Sequence, residues 1–343
     1  MEIDIRGLLL ASLHNQHLLE KAPCIAVASE LCGLQAQFAN NPKHALRIRG
    51  SDFSETAWKE GLVKIWAFRG TLHTVPQNEI GIFLSARGVP DDWHSDWNLK
   101  IDRMEYWSKF LLENIASGVS GRETLKEKCR EKGMSQEEAQ NVFHGWGGLI
   151  YEMNQRGMIA YVPGSAKDFV LCGKVEWMDR DDARALLLRR YFKAFGPAVM
   201  DDCAYFTGWK KREIQCVIEK HDIRLKSVLC GNQEYFFADS LPVAGEIPAC
   251  LFLAGFDQLL MGYRDRSRVM DEQYKRDVTT NTGIVHPTIL LDGRIQAKWK
   301  KNGTKLTVTP FRDISQKNRR RIARYTKELF GGEMREIDFC GKD

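Results

Sequence analysis

The chain has 343 residues, of which 43% are hydrophobic, and its formal net charge is +5. This length suits several small domains or one large core, and the apolar fraction is that of a globular protein. Nine scattered cysteines without a Cys-x-x-Cys pair argue against a disulfide framework or a cysteine-based zinc site. No apolar run is long enough to span a bilayer, and the acidic start is unlike a secretory signal. We therefore expect a cytoplasmic protein with no membrane association.

The first segment, residues 1–118, has the pattern of three helices followed by a strand. Apolar spacing predicts a helix over residues 8–19 and a second one opened by Pro23, with a break at residues 40–42. A third helical pattern covers residues 58–66, and residues 71–75 alternate like a strand. This order is typical of a winged helix-turn-helix module.

The second segment, residues 119–178, repeats the order. Ser120 with Glu123 and Ser135 with Glu138 are predicted capping boxes. The second box opens one long amphipathic helix that includes Phe143 and Trp146 in its apolar stripe, and Gly157 is its predicted end. Residues 158–171 read as a strand, a turn at Pro163-Gly164 and a returning strand, which is a wing.

The third segment, residues 179–240, again predicts three helices and two strands around Gly231-Asn232. Residues 241–343 change to short β-like runs, among them residues 251–253 and 259–261, and end with a basic helix over 315–330. The predicted fold class is therefore α+β, with three tandem winged helix-turn-helix domains followed by a C-terminal β-rich segment with a basic helix.

One short stretch links this architecture to a known family. Gly33-Leu34-Gln35-Ala36-Gln37, followed by Asn41-Pro42 and by Arg69-Gly70-Thr71-Leu72-His73, resembles the AlkZ-like DNA glycosylases, tandem winged-helix proteins with a Gln-x-Gln catalytic signature. Further matching segments follow in the same order: Gly255-Phe256-Asp257-Gln258, Gly262-Tyr263-Arg264-Asp265-Arg266-Ser267, Val285-His286-Pro287-Thr288, Asp292-Gly293-Arg294 and Lys298-Trp299-Lys300. Ala36 is smaller than the apolar residue expected between the two glutamines.

The resemblance implies that Gln35 and Gln37 are catalytic. Glutamine is no base at neutral pH, but its carbonyl can accept from a water and its amide can donate, so it can align that water against the sugar C1′. Such help suffices where the leaving base already carries a positive charge, as in an N7-alkylpurine. The resemblance therefore implies a monofunctional, metal-free glycosylase without a cofactor, which extends to bulky adducts and interstrand crosslinks.

Charge predicts where DNA is bound. Between residues 294 and 327 stand twelve lysines and arginines and a single acid, Asp313. Any one of them can be a solvated surface charge, but the cluster favours phosphate contacts. The predicted DNA-contacting residues are Arg69, His73, Arg264, Arg266, His286, Arg294, Lys298 and Lys300. The predicted partner is double-stranded DNA carrying alkylated purines, bound by a monomer.

Other functions have less support. His14 and His17 are spaced as a helical pair, but a third ligand is missing nearby, so we expect no metal site. The main alternative is a winged-helix transcription regulator, which usually carries a separate sensing or dimerising domain that we do not find here. A protein-interaction module is a third interpretation, and it leaves the basic helix without a partner.

Overall fold

The computed structural model describes residues 2–88, 93, 99–145, 147–165 and 167–341. It confirms a mixed α+β protein. The chain divides into two compact units. The larger unit comprises Met1–Gln35, Asn41–Trp58 and Leu188–Asp343, and the smaller unit comprises Ala36–Asn40 and Lys59–Leu187. The finer division at residues 118, 178 and 240 stays a prediction.

The helices follow one another in chain order as α1 (Ile5–Asn15), α2 (Cys24–Glu30), α3 (Asn40–Arg49), α4 (Ile80–Arg87), α5 (Ile101–Ala116), α6 (Arg122–Glu131), α7 (Gln136–Val142), α8 (Gly148–Gln155), α9 (Arg180–Ala194), α10 (Met200–Thr207), α11 (Lys211–Lys220), α12 (Gln258–Met261), α13 (Lys275–Val278) and α14 (Gln316–Phe330). The strands are β1 (Leu34–Gln35), β2 (Leu62–Trp66), β3 (Leu72–Pro76), β4 (Ile159–Tyr161), β5 (Phe169–Leu171), β6 (Lys226–Cys230), β7 (Gln233–Phe237), β8 (Cys250–Leu253), β9 (Thr288–Leu291), β10 (Arg294–Asn302), β11 (Lys305–Pro310) and β12 (Glu336–Phe339).

The larger unit is built on a five-stranded sheet in the order β12-β11-β10-β9-β8. The β8–β9, β9–β10 and β10–β11 pairs are antiparallel, and β12 runs parallel to β11. One face of this sheet packs on helix α14 through Trp299, Val308, Ile322 and Phe330, all of them buried. Strands β6 and β7 form a separate hairpin. The predicted strand runs and basic helix of this region are thus confirmed, except at residues 259–261.

Residues 259–261 belong to the single helical turn α12 instead of a strand. The side chain of Asp257 accepts a hydrogen bond from the backbone N–H of Leu259, which caps that turn. An aspartate two residues before a short apolar run is an N-cap signal, and it outweighs the β-like composition of the run.

The smaller unit holds an antiparallel sheet with the order β3-β2-β4-β5. Its core packs helices α5, α6, α7 and α8 against the sheet, with Trp107, Leu111 and Leu149 completely buried. The strand, turn and strand predicted over residues 158–171 are confirmed as the β4–β5 hairpin, and its role as a wing stays a prediction. The Ser135 capping box is also confirmed: the Ser135 hydroxyl accepts from the Glu138 N–H at 3.1 Å, and the Glu138 carboxylate accepts from the Ser135 N–H at 2.9 Å.

Three helix predictions are wrong. Residues 62–66 form strand β2 rather than a helix, and all five are buried, so the alternation that marks a half-exposed strand is missing. Ser120 does not cap α6, since the residue at that position is Gly121 and no side-chain cap is formed. The helix predicted from Ser135 to Gly157 is two helices, α7 and α8. Phe143 lies in the core, whereas Trp146 is outside the described residues.

Candidate active site

The Gln-x-Gln stretch follows a tight turn. The second helix, with a predicted break at residues 40–42, ends already at Glu30, so both glutamines lie beyond α2. Cys32 and Gly33 then take positive φ angles of 53° and 81°, and the chain enters the short strand β1 at Leu34. Gln35 is 6% exposed and Gln37 is half-buried.

In the larger unit, the turn before Gln35 is fastened by Gln258. The side-chain amide of Gln258 donates a short hydrogen bond to the carbonyl oxygen of Gly33. Gln258 is 1% exposed and opens helix α12, directly after the capping residue Asp257. Gly33 and Gln258, which stand in two of the segments that carried the family resemblance, are therefore in contact within the larger unit.

Asp257 is held by a buried ion pair with Arg49. The Arg49 guanidinium donates to both carboxylate oxygens, at 2.7 and 2.9 Å, and both side chains are 0% exposed. Burial raises the pKa of Asp257, but the charge and hydrogen bonds of Arg49 and the backbone N–H donors outweigh it and leave the pKa below its usual range. Asp257 is thus an ionised structural group that ties helix α3 to helix α12.

Asn41, Gly255 and Val285 lie close together in the larger unit. A methyl group added to Gly255 would lie 3.0 Å from Oδ1 of Asn41 and 3.2 Å from the carbonyl oxygen of Val285. Only glycine fits such a close approach without displacing a neighbour. The next residue along, His286, is half-buried, and burial together with the charge of Lys298 lowers its pKa.

Gln37 belongs to the smaller unit. The backbone N–H of its neighbour Ala36 donates to the carbonyl oxygen of Leu72 at 2.7 Å, which attaches this segment to strand β3. The Gln37 side-chain oxygen Oε1 is buried, and no donor among the described residues reaches it. An acceptor that is buried without a partner is costly in a folded protein and marks a candidate ligand or water contact.

His73 is a buried, neutral histidine. It is 1% exposed, its Nδ1 lies 3.1 Å from the Thr71 carbonyl oxygen, and its ring packs edge-on against Phe68. Burial first, and then the charge of Arg69, lowers the pKa of His73 to about 3. Arg69 itself is half-buried, with a positive φ of 54° in the turn between β2 and β3. A DNA contact by either residue stays a prediction.

Arg264, Arg266 and Arg294 are all engaged in intramolecular bonds. Arg264 pairs with Asp201 at 3.2 Å, and Arg294 donates to the Asp271 carboxylate. Arg266 donates to the Leu260 carbonyl at 3.1 Å, to the Thr279 hydroxyl at 2.9 Å and to the Tyr205 hydroxyl at 3.1 Å. Arg264 and Arg266 line an open pocket of about 910 Å³ that also contains acids, so its charge is mixed.

Lys298 and Lys300 lie on the face of the larger sheet that is turned away from α14. Side chains alternate along a strand, and Trp299 between them packs towards α14. Thr309 and Thr307 of β11 stand opposite the two lysines on the same face. Lys298 is half-buried, Lys300 is exposed, and neither makes an ion pair with a described residue. These two are the most available of the predicted phosphate contacts.

The described residues offer neither a metal-binding cluster nor a membrane-spanning helix. In that part of the chain, no group of three or more His, Cys, Asp or Glu side chains could hold a metal ion. Its helices are also too short or too polar to cross a membrane.

Comparisons with known proteins agree with these features. The family model described as "DNA glycosylase AlkZ-like" matches residues 28–330. A curated relative, "Interstrand DNA cross-link repair glycosylase" from Streptomyces sahachiroi, is 25% identical over 321 residues, which cover 84% of this chain and 85% of the relative. The solved structure "Streptomyces sahachiroi DNA glycosylase AlkZ" shares the fold, with a TM-score of 0.78, 21% identity and coverage of 100% of both chains.

A family match over most of the chain defines the protein as a DNA glycosylase, an enzyme that acts on DNA. The chain belongs to the AlkZ-like DNA glycosylase family, and the resemblance carried by its sequence motifs is confirmed.

Some contacts of the site have no sequence signal. The pairing of Arg49 with Asp257 joins residues 208 positions apart, and neither residue stands in a pattern that singles it out as a partner of the other. The matching segments of the family resemblance were the only pointer to Asp257 and Gln258.

Proposed function

We propose that this glycosylase hydrolyses the N-glycosidic bond of cationic N7-alkylpurines in double-stranded DNA, with Gln35 and Gln37 as its catalytic residues. Family membership over residues 28–330 supports the class of reaction. One observation carries the assignment of the site: Oε1 of Gln37 is buried, and no donor among the described residues reaches it. It lies in the Gln-x-Gln signature and can accept a hydrogen bond from a water.

The proposal rests on what the site can and cannot supply. Cleavage of a glycosidic bond passes through an oxocarbenium-like state, which most glycosidases support with carboxylates. Asp257, the carboxylate in the segment that fastens Gly33, is buried and bound to Arg49, so it is unable to receive a proton from water. An uncharged amide pair is then sufficient only if the departing base needs no general acid. An N7-alkylpurine meets this condition because it carries a full positive charge and leaves as a neutral molecule.

The two glutamines align the attacking water. Gln37 is half-buried, and its Oε1 accepts a hydrogen bond from the water. This bond orients a lone pair of the water towards C1′. Gln35 is 6% exposed and stabilises the charge that develops on the sugar through its amide oxygen. Water is the only nucleophile in this scheme, which makes the enzyme monofunctional. Its oxygen bonds to C1′ as the bond from C1′ to the base breaks, the base leaves neutral, and the proton of the water is released to solvent. Neither glutamine requires a metal or a cofactor.

The range of adducts follows from the relative. The Streptomyces sahachiroi protein is named for interstrand DNA cross-link repair. We extend this substrate to the present chain, together with bulky adducts, which are recognised without full extrusion of the base into a pocket. The protein acts as a monomer in the cytoplasm.

DNA is held by winged-helix modules and by the β-rich segment. Residues 1–118, 119–178 and 179–240 form three such modules in tandem, and residues 241–343 form the fourth, DNA-contacting segment. Lys298 and Lys300 contact phosphates, supported by their lack of ion pairs with described residues. The remaining contacts are Arg69, His73, Arg264, Arg266, His286 and Arg294. Arg264, Arg266 and Arg294 are engaged in intramolecular bonds, and His73 is buried. These intramolecular bonds must open or be shared with phosphates when DNA binds.

The test is release of N7-methylguanine from alkylated duplex DNA. We expect the wild type to leave abasic sites that alkali converts into strand breaks, and we expect Gln35→Ala and Gln37→Ala to lose this activity while they bind DNA as tightly as the wild type. Gln77→Ala, on an exposed glutamine of the smaller unit, is the matched control. Full activity in both alanine variants would refute the assigned roles, and no release by the wild type would refute the proposed reaction.

A further inference from the structure

Helix α14 carries a stripe of cations on its outer side. Lys317, Arg320, Arg321 and Arg324 surround a groove of about 490 Å³ beside Ala249. Steps of three and four residues place these side chains on one face of the helix, and seven residues span about 10 Å along its axis. We call these four residues the α14 stripe.

Half of the charge of the α14 stripe has no acidic partner among the described residues. Arg321 donates to the Asp292 carboxylate at 2.6 Å, and Arg324 lies 3.6 Å from the Glu328 carboxylate. Lys317 and Arg320 are exposed, and neither has an acidic partner among the described residues. A helix that only needed a solvated surface would gain from alternating signs along this face. Here, two cations remain unopposed beside a groove.

The α14 stripe is separate from the phosphate contacts proposed above. Helix α14 buries Ile322 and Phe330 against the sheet face that carries Trp299. Lys298 and Lys300 alternate with Trp299 and lie on the opposite face. The sheet and its apolar layer therefore stand between the two cationic surfaces, and one phosphate group is unable to touch both.

The side chains around the groove identify the class of partner. A guanidinium group binds two phosphate oxygens through two N–H donors. About 10 Å along the axis of a duplex holds roughly three phosphates of one strand, at 3.4 Å of axial rise each. Surfaces for single-stranded nucleic acid add aromatic side chains on which bases stack. Among the residues that the structure describes, those that line this groove are Ala249 and the four cations, and none of them is aromatic. A duplex backbone fits this chemistry better than a single strand.

We propose that the α14 stripe is a second DNA-binding surface, which holds the phosphate backbone of duplex DNA away from the lesion and without regard to sequence. This inference rests on the proposed function, because it takes the DNA that carries the lesion as its ligand. Its role is affinity for DNA outside the lesion; the bond-breaking step is left to the glutamines.

The experiment compares two triple variants by fluorescence anisotropy on unmodified duplexes of about 12 and 30 base pairs. The stripe variant combines Lys317→Ala, Arg320→Ala and Arg324→Ala. It removes three of the four cations and keeps Arg321, which is paired with Asp292. The control removes the same charge from three exposed lysines on other parts of the surface, Lys21, Lys59 and Lys132.

For the stripe variant we expect a loss of affinity on the order of tenfold for the long duplex and a smaller loss for the short one. The slope of log affinity against log salt should fall by up to about 2.7, at 0.9 for each lost phosphate contact. The stripe variant should release the base at the wild-type rate when the enzyme is saturating. The control variant should bind both duplexes with wild-type affinity.

Several results would overturn the inference. They are the same affinity and salt slope in the stripe variant as in the control, or tighter stripe-dependent binding of a single strand than of a duplex. The single change Arg320→Ala, with a smaller expected shift, decides the matter if the triple variant fails to fold. Stripe-dependent binding without base release by the wild type would refute the proposed reaction alone. If the stripe variant releases the base and binds duplex DNA as tightly as the wild type, the second DNA-binding surface is refuted and the proposed reaction is not.

Discussion

The buried pair of Arg49 and Asp257 gives the sharpest stability prediction. Asp257→Asn keeps an oxygen that can cap helix α12, but it removes the negative charge that opposes the Arg49 guanidinium. Both side chains are 0% exposed, so the remaining cation is left in the protein interior without a counter-charge. Breaking a buried ion pair from one side typically costs about 3 to 5 kcal/mol. We expect a loss of this size in the free energy of unfolding.

A double-mutant cycle separates the pair from its surroundings. Arg49→Met leaves Asp257 as an unpaired buried charge and should cost a similar amount. The variant with both changes contains neither charge, so it should be more stable than the sum of the single losses by about 2 kcal/mol or more. The free energies are measured by urea unfolding at pH 7, followed by tryptophan fluorescence.

The pH dependence of this pair has a defined sign. The pKa of Asp257 is lower in the folded protein than in the unfolded chain, so the pair stabilises at pH values above the unfolded pKa of about 3.9. Its contribution declines as the pH falls below that value and is lost once the pH has fallen through the lower, folded pKa. Additive single losses at pH 7, or a cost below about 1 kcal/mol for Asp257→Asn, would refute this reasoning.

Three further outcomes are expected. Ser135→Ala should destabilise the protein by about 1 kcal/mol in urea unfolding, since it removes one half of the capping box with Glu138, and an equal stability would contradict that role. Burial lowers the pKa of His44 to about 4, so stability should fall by about 3 kcal/mol between pH 6.5 and 4, and a His44→Gln variant should lack this part of the slope. Lys298→Ala with Lys300→Ala should reduce the salt slope of DNA binding by about 1.8, and an unaltered slope would remove them from the interface.

Local signals predicted much of the fold. The Ser135 box, the hairpin turn at Gly231-Asn232 and the basic helix α14 are each specified by neighbours within a few residues, and all three are confirmed. Strand β2 was mistaken for a helix because Leu62, Ile65 and Trp66 satisfy three- and four-residue spacing while every residue of the strand is buried. Burial on both sides removes the alternation on which strand prediction depends.

The candidate site was only partly predictable. The Gln-x-Gln motif and the segments around Asp257 and His286 were found through a family resemblance that the family match confirms. Their arrangement was not, since the bond from Gln258 to Gly33 joins residues 225 positions apart. The exposure of His73 could not be foreseen either. Its alternating strand pattern is compatible with either face, and the packing of Phe68 decides that the ring is buried.

The central claim is that two uncharged amides suffice because alkylation has already given the departing base its positive charge. The most direct measurement compares release of N7-methylguanine and O6-methylguanine, placed at the same position of one duplex, under single-turnover conditions. Both bases carry one methyl group, but only the first is cationic. We expect release of N7-methylguanine and no release of O6-methylguanine above the uncatalysed background. Comparable rates for the two bases would contradict the claim.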